Sequence, residues 1–204
     1  GVRTHGNIEA STTLIEDFPV LKTRANVAHT NYRLTSNNID RTIAGAGFDL
    51  SFPFVSKSRL FDSEIIHKLT PQISYNYRAK ELQGSIPIFD TEDKYSDIIT
   101  FGELTSGERY TGLDRITNAN DITLSIVSSN RNTNATENEK DLLSVMVAQS
   151  YYTDNEVVSD SAETNFEARK SYSDIVASID VAIKNFIFSS AVQFNPDTSL
   201  IVKR

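Results

Sequence analysis

Apolar and polar residues alternate at period two over stretches of ten or more residues, and this constrains the fold more than any other feature of the chain. From Lys68 to Arg78, the positions Leu69, Pro71, Ile73, Tyr75 and Tyr77 are apolar or aromatic. The interleaved Lys68, Thr70, Gln72, Ser74, Asn76 and Arg78 are polar. Successive strand side chains point to opposite faces, so such a stretch has one greasy and one wet face. Ala44, Ala46, Phe48, Leu50, Phe52 and Phe54 repeat the pattern against Gly45, Gly47, Asp49, Ser51 and Pro53. Ile175, Ala177, Ile179, Val181 and Ile183 do so against Asp174, Ser178 and Asp180, with Val176 and Ala182 as small exceptions. Ile122, Leu124 and Ile126 alternate with Thr123 and Ser125, and Leu143, Val145, Val147 and Tyr151 do so more loosely. Helical periodicity fits none of these segments better.

The pattern predicts nine strands, over about 3–15, 20–33, 42–54, 65–79, 121–131, 142–153, 171–183, 186–195 and 199–204. Several exceed the five or six residues of a globular strand and match the ~9–11 of a tilted membrane-spanning one. Pro71 lacks a ladder donor, which predicts a local bulge there. The connections sort by parity. Residues 16–19 and 184–185 make short turns, whereas about 80–120 and 154–170 make long loops. Short turns at one end and long loops at the other is the plan of an outer-membrane barrel. The turn at 196–198 is short where that plan wants a long loop.

Composition supports the same reading. Only 39% of residues are hydrophobic, and 23 Ser, 19 Thr, 16 Asn, one Met and no Trp leave little for a dense two-layer core. A net charge of −7 speaks against a nucleic-acid partner. Zero Cys excludes disulfides and thiolate metal sites within the stretch. No run approaches the ~18 apolar residues of a membrane helix. The chain opens mid-pattern at Gly1-Val2-Arg3, as an excerpt would, with no leader pattern. The expected fold is therefore all-β: nine strands of a larger antiparallel transmembrane barrel, with residues 1–204 forming part of a single domain. The apolar face would meet lipid and the polar face a wet lumen. Tyr32, Tyr75, Tyr77 and Tyr151 would sit at the membrane interface. A soluble β-sandwich with one wet face is the alternative.

The run Arg109-Tyr110-Thr111-Gly112-Leu113-Asp114-Arg115-Ile116-Thr117-Asn118-Ala119-Asn120-Asp121-Ile122-Thr123 resembles a signature of the LptD family of lipopolysaccharide-assembly proteins, Y-x-G-x-D-R-I-x-x-A-N-x-x-T. Leu69-Thr70-Pro71-Gln72-Ile73-Ser74-Tyr75-Asn76-Tyr77 resembles the family's L-x-P-x-x-x-Y-x-Y strand, and Ile86-Pro87-Ile88-Phe89-Asp90-Thr91 its I-P-x-F-D-T loop. Arg3-Thr4-His5 resembles the opening of an earlier strand, and all four occur in the family's order. The resemblance implies a bacterial outer-membrane barrel of about 26 strands that assembles lipopolysaccharide, with its long loops at the cell surface. It implies a plug lipoprotein, LptE, a periplasmic jelly-roll domain and outer-membrane lipids as partners. The family's cysteines and the barrel's first and last strands are not among these residues.

No catalytic constellation emerges: His5, His29 and His67 are far apart and outside any metal-ligand motif, so no cofactor, no metal and no enzymatic role are expected. Asp90, Glu92 and Asp93 lack the Gly-centred spacing of a calcium loop. The candidate site is the loop run with Tyr110, Gly112, Asp114, Arg115, Asn118, Ala119 and Asn120, a turn-forming set around adjacent opposite charges. Asp114 and Arg115 would either bind wall groups or a plug, or hold the loop's own shape. Lys22, Arg24, Asp49, Lys68, Arg78, Asp174 and Asp180 are expected to line the lumen, the cations as contacts for lipopolysaccharide phosphates. A generic channel or receptor barrel shares the alternation but not the loop run. A soluble binding module would fold without detergent. An outer-membrane enzyme is the more distant alternative.

Overall fold

The computed structural model describes residues 1–35, 37–60, 63–94, 99–133, 141–161, 164–183 and 186–203. The strands are β1 (Val2–Ile15), β2 (Val20–Arg33), β3 (Asn38–Ser51), β4 (Phe54–Leu60), β5 (Ser63–Arg78), β6 (Ala119–Asn132), β7 (Leu143–Tyr152), β8 (Glu156–Val158), β9 (Phe166–Ala168), β10 (Ile175–Ile183), β11 (Phe186–Asn195) and β12 (Leu200–Lys203). Among the described residues one short helix, α1 (Phe101–Ser106), lies between β5 and β6. The main sheet runs β1-β2-β3-β5-β6-β7-β10-β11-β12, with β4 beside β5, and β8 and β9 form a separate hairpin. Every pairing described is antiparallel.

Register assigns the faces, because directly opposed residues share one. Ala46 opposes Tyr77, Phe48 opposes Tyr75 and Leu50 opposes Ile73. Ile73 in turn opposes Leu124, Ile126 opposes Val147, and Val145 opposes Ile179. This apolar face is open: Ile8, Val27, Ile73, Leu124, Ile126, Val147, Ile179, Phe186 and Phe188 are all exposed, Ile8 at 79%. The opposite face holds Arg24, Asp49, Ser74, Asn76, Thr123 and Ser150, and much of it is buried under residues 79–118 and 153–174. The polarity of a water-soluble domain is thereby reversed. From Leu69 to Tyr77 the apolar row spans about 27 Å at ~3.4 Å per residue, close to the ~25 Å band of a membrane barrel once tilt is allowed for.

Several expectations are corrected. There is no bulge at Pro71: it opposes Ile126 in an unbroken ladder, and Ser51–Gln72 and Phe54–Leu69 belong to one register. The Phe52 amide donates to the Pro71 carbonyl at 2.9 Å. A strand residue's N–H and C=O face the same neighbour, so the missing Pro71 N–H points at the Phe52–Pro53 break between β3 and β4. The strand expected to end at 54 therefore continues as β4, and the connection after it is mostly strand. Alternation fades there because Ser56, Ser58, His67 and Asn130 occupy the outer face below the apolar band. β3 begins at Asn38 rather than 42, β6 takes in Ala119 and Asn120, and β10 begins at Ile175 rather than 171.

The long loops also carry structure of their own. Thr100 and Glu103 form a capping box on α1, and Gly107 closes it at φ 65°. That T-x-x-E…G signal is legible in the sequence. Tyr32 is no interfacial residue: register with Ile39 turns it to the polar face, where it is fully buried. Tyr75, Tyr77 and Tyr151 do lie on the apolar face.

Candidate functional site beneath the long loops

Residues 79–118 are fastened to the polar face at two places. The first is polar and centred on Asp114, which is 0% exposed. Its Oδ1 accepts from Arg3 Nη1 of β1 at 2.7 Å and from Tyr32 Oη of β2 at 3.1 Å. Its Oδ2 accepts from the backbone amides of Phe89 and Asp90 at 2.6 and 2.9 Å. Four donors fill the acceptor capacity of one carboxylate. Arg41 of β3 reaches the same turn, donating to the Asp114 carbonyl and to Gln83 Oε1 at 2.8 and 2.6 Å. Gly112 makes the tight turn possible at φ 66°, and a Cβ there would lie 2.3 Å from the Asp90 carbonyl oxygen. Arg3 also binds Asp90 through two nitrogens at 2.9 and 2.6 Å. These hydrogen bonds hold the Asp90 carboxyl well below the usual carboxylate range.

Asp114 and Arg115 have different partners. Asp114 takes the wall. Arg115, 1% exposed, donates to the carbonyls of Ile86 and Ser161 at 2.9 and 3.3 Å, both in loops. Its Nε has no partner among the described residues. Burial pulls its basicity below the ordinary arginine value, against the pull of Asp114. Tyr110 and Asn118 join the two loops. Tyr110 Oη donates to the Val158 carbonyl at 2.7 Å, and Asn118 Oδ1 accepts from the Val158 amide at 2.9 Å. Burial raises the Tyr110 phenol above its usual range. Arg109 binds Asp93 and Glu167; burial opposes its charge, but these partners more than reverse that and hold it above the usual range. Ala119 is buried opposite Arg78, and Asn120 Oδ1 accepts from Tyr75 Oη at 3.0 Å.

The second fastening is apolar. Ile99, Phe101 and Leu104 of the α1 segment pack on Ala148 of β7 and Val176 of β10. Val176, an exception to the alternation, is thereby explained: an apolar side chain on the wet face receives the helix. Polar wall residues meet the helix's last carbonyls, which have no partner within it. Thr123 Oγ1 donates to the Leu104 carbonyl at 3.2 Å. Asn76 donates to Thr105 at 2.5 Å, and Arg78 to Ser106 and Gly107 at 3.5 and 3.3 Å.

Register places the charged residues singled out in the sequence on one face of the sheet. Lys22, Arg24, Asp49, Lys68, Arg78 and Asp180 share it by register, and Asp174, just before β10, accepts from Gln193 of the same face at 2.7 Å. They are not brought to one point. Arg24 pairs with Asp49 at 2.7 Å, whereas Lys22 and Lys68 are exposed. His5, His29 and His67 each hydrogen-bond a Thr or Ser on the adjacent strand. Asp90 and Asp93 answer Arg3 and Arg109. The sequence reading missed Arg41 because its strand was expected to begin at 42, one residue beyond it, whereas β3 begins at Asn38. Gln83 lies just outside the Ile86–Thr91 motif and offered no signal of its own.

A sheet that exposes its apolar face and buries its polar face under its own loops is a segment of a transmembrane β-barrel wall. The model of the family described as LPS transport system D, LptD, matches residues 1–203, and the chain belongs to that family. Among its relatives, the LPS-assembly protein LptD of Shewanella frigidimarina is 33% identical over 80% of this chain and 20% of its own length. The protein of the same description from Paraburkholderia xenovorans is 29% identical over 83% of this chain and 21% of its own. That from Shewanella oneidensis is 30% identical over 83% and 22%. The chain thus spans about a fifth of the length of the curated relatives it matches.

Proposed function

We propose that this chain is part of the wall of an outer-membrane barrel that assembles lipopolysaccharide, and that residues 79–118 are a lid fixed across its lumen. The buried Asp114 carries the reading: a carboxylate saturated by two strands and its own loop is built to keep the loop down. In this reading the polar face lines the lumen, the apolar face meets outer-membrane lipid, and the long loops sit at the cell-surface end. The plug lipoprotein, the periplasmic jelly roll and the remaining strands would close the pore around it. Lipopolysaccharide would pass over the polar wall without covalent chemistry, so no enzymatic step is assigned.

The test is Arg115→Ala in the full-length protein at normal abundance. Removing the guanidinium leaves the Ile86 and Ser161 carbonyls without their donor, which should loosen the lid and admit large antibiotics such as vancomycin. Unchanged antibiotic sensitivity would count against the lid.

A further inference from the structure

Between α1, the loop after β9 and the upper ends of β7, β10 and β11 lies an open cavity of about 270 Å³. We propose that it seats part of a neutral saccharide chain, an inference that rests on the lipopolysaccharide reading above and names one subsite within it.

The chemistry of the lining selects the ligand. Ile99 and Val157 give the cavity apolar surface, and Tyr152 and Tyr172 border it. Such surfaces suit the C–H faces of a sugar ring. The cations that line it are already answered: Arg169 binds Asp121 at 3.0 Å and lies 4.1 Å over the Tyr152 ring, Lys170 pairs with Asp197 at 2.8 Å, and Arg109 holds Asp93 and Glu167. A phosphate would therefore meet no uncompensated charge. Asp174 and Asn195 supply what hydroxyls need. One Asp174 oxygen takes the Gln193 amide at 2.7 Å, and a carboxylate has capacity for more donors. Asn195 spends its oxygen on the amides of Asp197 and Thr198, which orients its NH₂ group as a donor. Tyr172 is pinned by a hydrogen bond from its hydroxyl to Asp197, so the ring is set before any ligand arrives. Fixed donors, fixed acceptors and an aromatic surface form a preorganised site that costs little to order. Its volume is just under the ~300 Å³ at which drug-sized pockets begin, so it takes a short stretch of sugar.

The experiment uses the full-length protein in detergent micelles. The probe is a short neutral oligosaccharide of glucose and galactose, free of phosphate and of acidic sugars. Asp174→Asn should weaken binding about tenfold, the scale of one lost hydrogen bond to a charged group, and Tyr172→Ala at least as much, whereas Tyr172→Phe, which keeps the ring but releases it from Asp197, should fall between Tyr172→Ala and the unmutated protein. Heat-modifiable migration of each variant on gels confirms that the barrel has folded. Equal affinities across the folded variants overturn the site, as does competition by inorganic phosphate, which would make it an anion seat. A photo-crosslinker at Asn195 is compared with one at Lys22. Glycolipid captured at both positions supports the site. Capture at Lys22 alone overturns it and leaves the transport reading standing, whereas capture at neither overturns both.

Discussion

The two fastenings of the long loop reach similar burial by opposite physics. At Asp114 the loop is held by charge-assisted hydrogen bonds from β1 and β2, each directional and each lost if one partner goes. At α1 it is held by Leu104 and Ile99 on Ala148 and Val176, a contact with little directional demand. The difference shows how a polar sheet face can bind its own loop. A polar face offers donors almost everywhere, so specificity comes from saturating one carboxylate, and a few apolar residues suffice to seat a helix.

The largest expected effect comes from breaking the polar side. Asp114→Ala leaves Arg3 with Asp90 alone and the Phe89 and Asp90 amides without their acceptor, and should cost about 3–5 kcal/mol of loop docking, the scale of two buried donors left unsatisfied at ~1–3 kcal/mol each. Limited proteolysis should then cleave near Glu108, and continued resistance would mean that α1 alone holds the loop. Next comes the apolar side. Leu104→Ala, at 1% exposure, should cost about 2–4 kcal/mol. Hydrogen exchange should rise across residues 101–106 with Tyr110–Arg115 unchanged; a joint rise would show the two fastenings to be one cooperative unit. Removing the α1 cap with Thr100→Ala is expected to cost about 1 kcal/mol and to speed exchange at Glu103 only. Acid should separate the two sides most finely. Asp90 has a depressed folded-state pKa, so its contribution is complete above the unfolded value of about 4 and fades as pH falls toward the folded one. Protease protection near Asp90 should stay flat from about pH 8 to 5 and decline below about 4. Protection at α1 should show no matching decline.

The legibility of these features in the sequence follows from the range of the interactions. The strands and faces were readable because β geometry turns period two into sidedness, as in Lys68–Arg78, and the register then confirmed which residues share a face. β4 escaped because its side chains lie beyond the apolar band, where nothing enforces alternation. The candidate run was legible as a turn through Gly112 and its Asn neighbours, but Tyr32 was assigned to the membrane edge from its residue type and its place near a strand end. A face can be read from one strand; a partner 82 positions away cannot.

The sequence by itself determined an all-β wall with one face for hydrocarbon, because that requirement acts on each residue separately and leaves a local trace. Only the tertiary structure decided that Asp114 reaches Arg3 and Tyr32 while Arg115 turns to loop carbonyls, and that Val176 receives a helix. Those outcomes depend on how a long loop folds back over distant strands. Closure of that kind is governed by the joint satisfaction of many donors and acceptors at once, which no single stretch of residues encodes.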